Sequence, residues 1–440
     1  MTVCGKGPPK AILDHSLRPS FPRSAPWIPA SYHDHRSWVI GIAEEANQSP
    51  KELHPALKEL QDLIDTDPRI YMLFMSMFQQ IPQESSFDTD PNGNPRLRSY
   101  EQMLQVFNHI LTTAPSWDDK VYRTGFVGLP FSAMTTLPKA TQAGIAAFLD
   151  PGVNRVMGKV LNAWGVFLES LESAVVLGNC SSCWFSTTAL REMTAVANVG
   201  ETAYTWDEIY QCDPDALYHG YQSWDSFFTR PFRDGIRPVA SPDNDRVIVH
   251  ACESRPINIQ QDVQARDQFW VKGQPYSVRD LLGHDTLADR FIGGTVYQGF
   301  LSSLNYHRWH APVAGRIIKA YNIPGTYFSQ ATFTATSNYT DYLDFSYAPT
   351  MATRAVIIIQ ADHPAIGLVA FVGAGMAEVS TCEITVTEGQ HVEKGEEIGM
   401  FHYGGSTHCL VFEYGVNLSG WPKLGSSENL PVRSQLAVVE

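Results

Sequence analysis

The chain lacks any apolar segment long enough to cross a bilayer. Its longest apolar run, residues 365–377, is interrupted by three glycines, whereas a spanning helix needs about 20 apolar residues. The first thirty residues hold six prolines and no apolar core of a secretory signal. We therefore predict that residues 365–377 form a buried strand, and that the protein is soluble and cytoplasmic, without membrane association.

Positive charge is also scarce. The 440 residues include 32 Lys and Arg against 46 Asp and Glu, which gives a net charge of −14. An acidic surface repels phosphate groups, so the composition argues against nucleic acid as a partner and against electrostatic binding to an anionic membrane. The hydrophobic content of 44% and the charged content of 18% are typical of a folded globular protein.

The seven cysteines are odd in number and follow no disulfide-scaffold spacing. This pattern predicts reduced thiols, as in a cytosolic protein. Cys180 and Cys183 form a lone Cys-x-x-Cys pair, and a structural zinc site would need a second pair nearby. We therefore expect no metal site. A redox role would need a thioredoxin-like context, which the flanking sequence lacks.

The length predicts two domains, and the sequence pattern changes between them. Residues 1–32 are Pro-rich and predict a disordered arm. Residues 33–200 predict a helical domain, because residues 100–111 and others space their apolar side chains as an amphipathic helix does. Residues 205–438 predict a mainly β domain, which gives the α+β fold class. The clearest strand patterns there, short and β-branched, are residues 246–250, 294–300, 355–359 and 367–372.

Gly405 and Ser406 follow a β-type run near the C-terminus. Gly405 gives the backbone conformations that are closed to other residues, so the Ser406 hydroxyl is placed to attack the Gly405 carbonyl carbon and convert the amide to an ester. β-Elimination would then cleave the chain, and hydrolysis of the resulting dehydroalanine would leave a pyruvoyl group. Such a group is an electron sink for amine chemistry, as PLP is. Gly-Gly-Ser is also common in ordinary loops, so these residues alone leave both interpretations open.

A histidine motif lies upstream of this site. His307 and His310 stand three residues apart within residues 305–315, ahead of a proline and a glycine. Together with Gly405 and Ser406, this run resembles the phosphatidylserine decarboxylase family of pyruvoyl enzymes. Members of that family carry Tyr-His-Arg-x-His-x-Pro-x-x-Gly and a Gly-Ser-Thr or Gly-Ser-Ser cleavage site. Further segments resemble the family in order and spacing: residues 224–230, 237–239 and 323–328.

The resemblance implies a role for each of these residues. Cleavage between Gly405 and Ser406 would turn Ser406 into a covalent pyruvoyl cofactor, so the chain is a zymogen, needs no PLP, and stays associated after cleavage. His310 is the base for cleavage. His307 serves decarboxylation, because an imidazole with a pKa near about 6.5 suits the return of a proton to the substrate α-carbon. The acid that orients His310 is usually an aspartate. Here Glu253 takes its place, and a surface carboxylate is the alternative interpretation.

Two departures from the family pattern bear on the substrate: one altered segment, and a helical N-terminal extension with no membrane segment. The usual Asn-Glu-Arg segment is not recognisable, and residues 347–354 stand in its place. Residues 306–312 and 380–383, with the helical extension, resemble the soluble fungal tryptophan decarboxylase branch of the family. We therefore expect a small-molecule substrate: a decarboxylase of a free amino acid, L-tryptophan or another aromatic L-amino acid, in secondary metabolism.

Two other interpretations stay open. One is a phosphatidylserine decarboxylase that makes phosphatidylethanolamine from membrane lipid. The other is an unprocessed, non-catalytic relative with a biotinyl-like binding module, since residues 388–401 resemble a biotinyl or lipoyl hairpin. That module carries its cofactor on a lysine within Met-Lys-Met, which is absent here, so we expect the hairpin to present the cleavage site instead. The sequence leaves the oligomeric state and the amino acid open.

Overall fold

The structure is a computed structural model. It describes residues 41–46, 51–81, 97–119, 122, 127–200, 202–266, 276–329, 349–375, 377–378, 381–403, 406–426 and 428–440. Ser406 and the histidine motif are among them. The predicted arm at residues 1–32 and the predicted cleavage-site residue Gly405 lie outside the described residues.

The N-terminal half is helical. Proline occupies the first position of several helices, where its missing N–H costs no hydrogen bond, and Asp150 caps the longest helix by accepting from Gly152 N at 2.8 Å and Val153 N at 3.1 Å. The helices are α1 (Pro55–Thr66), α2 (Pro68–Gln79), α3 (Tyr100–Ile110), α4 (Pro130–Ala140), α5 (Gln142–Leu149), α6 (Pro151–Leu168), α7 (Thr187–Ala197), α8 (Trp206–Ile209), α9 (Trp224–Phe228) and α10 (Val278–Leu281), with 3-10 turns at Leu171–Leu177, Leu217–Gly220 and Ala288–Phe291.

The apolar stripe of residues 100–111 forms the helix it predicts. Ser99 caps α3 by accepting from Gln102 N at 3.3 Å. The predicted stripe faces inward, and it packs in one core with Trp164 of α6 and Phe131 of α4. The buried stripe residues are Met103, Val106, Phe107, Ile110 and Leu111.

The C-terminal half is built from antiparallel strands: β1 (Val247–Val249), β2 (Arg255–Gln260), β3 (Thr295–Leu301), β4 (Arg308–His310), β5 (Gly315–Ile323), β6 (Arg354–Ala361), β7 (Leu368–Gly375), β8 (Thr381–Ile384), β9 (His391–Val392), β10 (Glu397–His402), β11 (Ser406–Phe412), β12 (Leu418–Ser419) and β13 (Gln435–Val439). A seven-stranded sheet has the order β2-β3-β11-β7-β6-β5-β9, and two three-stranded sheets have the orders β4-β10-β8 and β1-β13-β12. Helices followed by these sheets confirm the α+β fold class.

The large sheet is buried on both faces around β11. Leu410 packs with Tyr297 and Phe371 in one apolar cluster, while Cys409 and Val411 face a second cluster on the opposite side. This arrangement explains why the predicted central strands read as continuous apolar runs rather than as alternating patterns.

The predicted hairpin at residues 388–401 is wrong in its strand pairing. β9 pairs with β5, whereas β10 pairs with β4 and β8. The turn between them is held by other partners: Gly395 N donates to Ala311 O at 2.8 Å, and Lys394 Nζ donates to Ser241 O at 2.7 Å and Asn244 O at 2.8 Å. Lys394 is therefore a buried structural residue rather than an exposed attachment site.

The prediction that all cysteines are reduced is also wrong, because Cys180 and Cys183 form a disulfide. A tight turn, in which Cys183 N donates to Cys180 O at 2.9 Å, brings their Cα atoms to 5.0 Å, a separation that permits the bond. The other described cysteines are free.

Within the described ranges, no single helix is long and apolar enough to cross a membrane. One pair of consecutive helices has the length and apolar composition of a membrane span only when the two are counted together. They are Pro151–Leu168 and Leu171–Leu177, and they are bent by 74° relative to each other.

Candidate active site

Ser406 is the first residue of β11, in the middle of the large sheet. It lies opposite Leu301 of β3 on one side and Gly375 of β7 on the other. Its side chain is fully buried, and Oγ has no hydrogen-bond partner among the residues that the structure describes. Burying a hydroxyl without a partner is unfavourable, so such a group in a packed sheet calls for a chemical explanation.

Two connections bring the histidine motif toward Ser406. The chain leaves β3 at Leu301, directly opposite Ser406, and then runs into the motif. His307 O accepts from Phe401 N of β10 at 2.9 Å, and β10 leads onward to Ser406. The motif therefore bridges the strand opposite Ser406 and the strand that precedes it.

His310 lies at the end of β4 with both ring nitrogens engaged. Nδ1 is 2.9 Å from Gly395 O, and Nε2 is 3.0 Å from Tyr306 Oη. A carbonyl oxygen only accepts, so Nδ1 carries the hydrogen and Nε2 accepts from the Tyr306 hydroxyl. Burial lowers the pKa of His310 to about 3, and the charges of Arg433 and Arg308 act in the same direction. The imidazole is therefore neutral, and Nε2 is unprotonated, as the accepting nitrogen of a general base must be.

Glu253 is buried, but its carboxylate pairs with Arg237 rather than with His310. Arg237 Nε donates to Oε2 at 2.6 Å, and Nη2 donates to Oε1 at 3.2 Å. Burial raises the pKa of Glu253, and Arg237 opposes that shift by stabilising the carboxylate. A surface carboxylate is thus the wrong interpretation of Glu253. The acid predicted to orient His310 makes no hydrogen bond to it, because Gly395 O holds the ring nitrogen that the acid would hold.

A stack of rings connects the two groups. The Arg237 guanidinium lies 4.7 Å from the centre of the Phe232 ring, and Phe232 stacks on Tyr306 at 4.0 Å. Tyr306 in turn stacks near His310 and donates to it. Glu253 therefore fixes Arg237, which packs on the rings that hold Tyr306 against His310.

His307 is fully buried, and its ring stacks on Phe228 at 4.1 Å with an interplanar angle of 20°. Phe228 belongs to α9, one of the segments that the sequence analysis singled out as family-like. Its planar contact fixes the orientation of the imidazole. The side chain of the adjacent Arg308 is held by two other groups: Nη1 donates to Glu397 Oε1 at 2.7 Å, and Nε donates to Thr229 O at 2.6 Å.

A cleft of about 930 Å³ lies between α6 and the 323–327 segment. Its volume is within the usual range for small-molecule sites. Apolar and aromatic groups, including Tyr327 and Met351, share its lining with polar ones such as Thr326 and Arg354. Arg354 pairs with Ala374 of β7, next to the residue opposite Ser406. Arg354 thus lies two strands from β11, and because Ala374 also pairs with Thr407, the register places the Arg354 side chain on the opposite face of the sheet from that of Ser406.

The described residues around Ser406 fit a pyruvoyl group made from that serine. The Oγ atom is buried and unpartnered, and Gly375 opposite it has no side chain to fill the adjacent space. Leu301, on the other side, is fully buried and covers this position with an apolar side chain. His310, with its neutral Nε2, and His307 lie on the neighbouring chain segment as candidate proton carriers.

Sequence reasoning gave no role to Tyr306 or Arg237. Tyr306 stands four residues before His310, and it is the residue that occupies Nε2. Arg237 lies in residues 237–239, one of the segments that resemble the family. Its role could have been found by asking which cation would pair with a buried glutamate. His402, four residues before Ser406, also has two unpredicted partners: Asp225 Oδ1 and Glu383 Oε2, each at 2.9 Å from a ring nitrogen.

We expect the protein to lose stability as the pH falls below about 6.5. Burial lowers the pKa of His250, His310 and His408 to about 3 from an ordinary value of 6.5. Between these values the unfolded chain binds protons that the folded chain does not, so the free energy of unfolding decreases as the pH is lowered. The loss approaches about 1.4 kcal/mol per histidine per pH unit. His402 does not oppose this loss: Asp225 and Glu383 outweigh burial and raise its pKa, so its contribution to stability is present below pH 6.5 and is lost only as the pH rises.

Urea unfolding at a series of pH values from 6.5 down to 5 measures this slope. Over that range the unfolded carboxyl groups are still largely ionised, and the buried Glu253 and Glu378, whose pKa values burial raises, act against the histidine slope rather than adding to it. His408→Phe should reduce the slope, and the exposed His391→Gln should leave it unchanged. A free energy of unfolding that is flat over the range would contradict the neutral, buried state of the three histidines.

Comparisons with known proteins agree with this architecture. Two family models match the chain, both described as phosphatidylserine decarboxylase: one over residues 54–193 and the other over residues 224–429. The chain is 42% identical over 298 residues to decarboxylase iboD of Amanita muscaria, covering 65% of this chain and 84% of that protein.

Two further relatives differ in how much of this chain they match. The L-tryptophan decarboxylase of Psilocybe cubensis is 35% identical over 410 residues, covering 88% of each chain. Phosphatidylserine decarboxylase proenzyme 3 of Schizosaccharomyces pombe is 33% identical over 194 residues, covering 44% of this chain and 19% of that protein. With matches along both its helical and its β part, the chain is a decarboxylase that belongs to the phosphatidylserine decarboxylase family.

Proposed function

We propose that this protein is a pyruvoyl-dependent, PLP-independent decarboxylase of a free aromatic L-amino acid, with L-tryptophan as the first candidate. The supporting observation is the match to an L-tryptophan decarboxylase along 88% of both chains, helical part included. The phosphatidylserine decarboxylase proenzyme of Schizosaccharomyces pombe matches only 44% of this chain. A cytoplasmic location, where free amino acids are abundant, is part of the same proposal.

The proposed maturation begins at Ser406. Its Oγ attacks the carbonyl carbon of Gly405, an O–C bond forms, and the C–N bond breaks as the nitrogen takes a proton. The resulting ester loses the α-hydrogen of residue 406 together with the Cβ–Oγ bond, which leaves a carboxylate on Gly405 and a dehydroalanine at residue 406. Addition of water and release of ammonia convert the dehydroalanine to the pyruvoyl group.

His310 is the proposed base for the first step. A serine hydroxyl is a weak nucleophile at neutral pH and needs a neighbouring base that is itself held in place. Gly395 O holds the hydrogen on Nδ1, and Nε2 accepts from the Tyr306 hydroxyl, so in this proposal the serine proton reaches Nε2 by way of that hydroxyl. Glu253 is a positioning residue in this proposal, because it acts through Arg237 and the ring stack on Tyr306.

Once formed, a pyruvoyl group supplies the electron sink that decarboxylation of an α-amino acid requires. The protein must then deliver one proton to the substrate α-carbon after CO₂ has left. His307, fixed by stacking on Phe228, is the proposed donor to the substrate α-carbon. The cleft beside Tyr327 and Met351 is the proposed site of the aromatic side chain, because it combines apolar and aromatic lining with a volume usual for small-molecule sites.

Cleavage should not separate the two chains. β11 begins at Ser406 and pairs with β3 and β7 along its full length, and all of its residues are buried. β13 also pairs with β1 and β12. We therefore propose that residues 406–440 stay bound after cleavage as a central strand of the mature enzyme.

Amine formation from a mixed pool of free L-amino acids, without added PLP, tests the proposed substrate class. We expect CO₂ release from L-tryptophan or another aromatic acid. Related aromatic acids should also react, because a methylene-sized change in an apolar pocket alters discrimination by only about 1–3 kcal/mol.

Phosphatidylserine in vesicles is the competing substrate, and the phosphatidylserine decarboxylase description of both family models supports it. The same preparation is assayed for phosphatidylethanolamine. Rapid conversion of the lipid, with no amine from any free amino acid, would contradict our proposal and establish the lipid enzyme instead.

A further inference from the structure

Tyr403 has an unusual backbone conformation three residues before Ser406. Its φ angle is +69°, in the left-handed region that disfavours side chains other than glycine. The ring is nevertheless buried, with an exposed fraction of 2%. Residues held in such conformations persist only where surrounding contacts impose them, and they cluster at functional sites. The contacts that hold Tyr403 therefore bear on the cleavage segment.

Those contacts come from α6, in the helical part of the chain. The Tyr403 ring lies over Gly165, where an added Cβ would be 2.5 Å from Oη and 2.9 Å from Cζ. The Tyr403 hydroxyl donates to Glu169 Oε1 at 3.2 Å, and the ring packs 6.0 Å from the Trp164 ring. Gly165 thus forms a notch that only a residue without a side chain can provide.

The residue before Tyr403 is also anchored by the helical segments. His402 Nδ1 is 2.9 Å from Asp225 Oδ1 of α9, and Nε2 is 2.9 Å from Glu383 Oε2 of β8. Carboxylates only accept, so an imidazolium that donates through both nitrogens satisfies both groups. Asp225 is itself nearly buried. Together, α6 and α9 fix the two residues that lead into the cleavage site.

Two other strand segments also contact the helical part of the chain. Glu378, just beyond β7, accepts from Ser132 N at 2.6 Å and Ser132 Oγ at 2.8 Å. Tyr327 lies over Gly158 of α6, one heptad before Gly165 on the same face. The helical part therefore contacts the segments that follow β5 and β7 as well as the segment that precedes Ser406.

We propose that Tyr403 is a positioning residue for self-cleavage, held in its left-handed conformation by the Gly165 notch and Glu169, so that the helical part of the chain takes part in maturation. This inference rests on the proposed cleavage at Ser406. An attack by Oγ on the preceding carbonyl needs a bend in the chain at the scissile bond, and a fixed, bent residue just upstream supplies one end of that bend. Such alignment matters because small misplacements slow a reaction strongly.

Gly165→Ala tests the notch, and Gly158→Ala is its matched control. Both changes put one methyl group on the same face of α6 against a tyrosine ring, but only Gly165 contacts the cleavage segment. Full-length precursor is made by cell-free translation, and the appearance of residues 1–405 and 406–440 is followed over time on gels. We expect Gly165→Ala to slow cleavage about 10- to 100-fold, and Gly158→Ala to cleave at the wild-type rate.

Substitutions at Tyr403 keep the test decisive if Gly165→Ala fails to fold. Tyr403→Phe retains the ring in the notch but loses the hydrogen bond to Glu169, so it should be slowed less than Tyr403→Ala, which should be slowed as strongly as Gly165→Ala. The thermal unfolding midpoint of each uncleaved precursor, compared with that of the uncleavable Ser406→Ala chain, separates slowed chemistry from lost stability.

Wild-type cleavage rates in both Gly165→Ala and Tyr403→Ala would overturn the inference and leave the proposed function intact. An uncleaved wild-type chain would instead defeat the proposed function itself.

Discussion

Replacing Ser406 with alanine should leave one intact chain of 440 residues that has no decarboxylase activity. Alanine has no Oγ to attack the Gly405 carbonyl, so neither the ester nor the pyruvoyl group can form. The substitution removes one buried oxygen that has no hydrogen-bond partner among the described residues, so stability should be unchanged or slightly higher. Gel electrophoresis of the purified protein and an amine assay measure both outcomes.

Ser426→Ala is the matched control, because Ser426 is an exposed serine in the same C-terminal segment. It should cleave and turn over as the wild type does. An active Ser406→Ala variant would show that another residue carries the chemistry, and the pyruvoyl proposal would then be wrong.

The two motif histidines should fail at different stages. His310→Ala removes the proposed base, so cleavage should slow by about 10²- to 10⁴-fold, the usual contribution of a general base. His307→Ala should leave cleavage largely intact but abolish turnover, because the substrate α-carbon then has no proton donor. A time course of cleavage and an amine assay on the mature fraction separate the two effects.

His391→Ala serves as the control, since His391 is an exposed histidine paired with Asp362. Cleavage at the wild-type rate in both motif variants would refute the assigned base. Loss of cleavage in both would instead mean that the two histidines act as one unit in maturation.

Local sequence patterns predicted the elements that local physics controls. The apolar stripe of α3 has helical spacing and a serine cap, and both act within a few residues. The apolar run at residues 365–377 contains β7, because β-branched residues in the middle of a sheet need no polar face. The Gly-Ser and histidine motifs indicated the candidate site in the same way, since each is contiguous in sequence.

Long-range pairing was harder to predict. The hairpin expected at residues 388–401 fails because β9 and β10 find better partners in β5, β4 and β8, all distant in sequence. Glu253 presents the same problem. Its neighbours in sequence give no sign that Arg237 lies 2.6 Å away, or that Gly395 O takes the nitrogen of His310 that an acid would otherwise hold.

The contacts of Tyr403 with Gly165 and Glu169 are further beyond the reach of sequence patterns. A glycine within a helix usually reads only as a weak helix former. Its role as a notch becomes visible once the helical and β parts are docked together. Functional residues that act between two parts of a chain therefore need the structure to be found.

An intact mass spectrum of the purified wild-type protein tests the central claim most directly. We expect two chains, residues 1–405 with a free carboxyl terminus and residues 406–440 with a pyruvoyl terminus. The second chain should be lighter by one ammonia than the same chain beginning with serine. A single full-length chain in a preparation that releases CO₂ from an amino acid, or a short chain with a free serine at its start, would contradict the account.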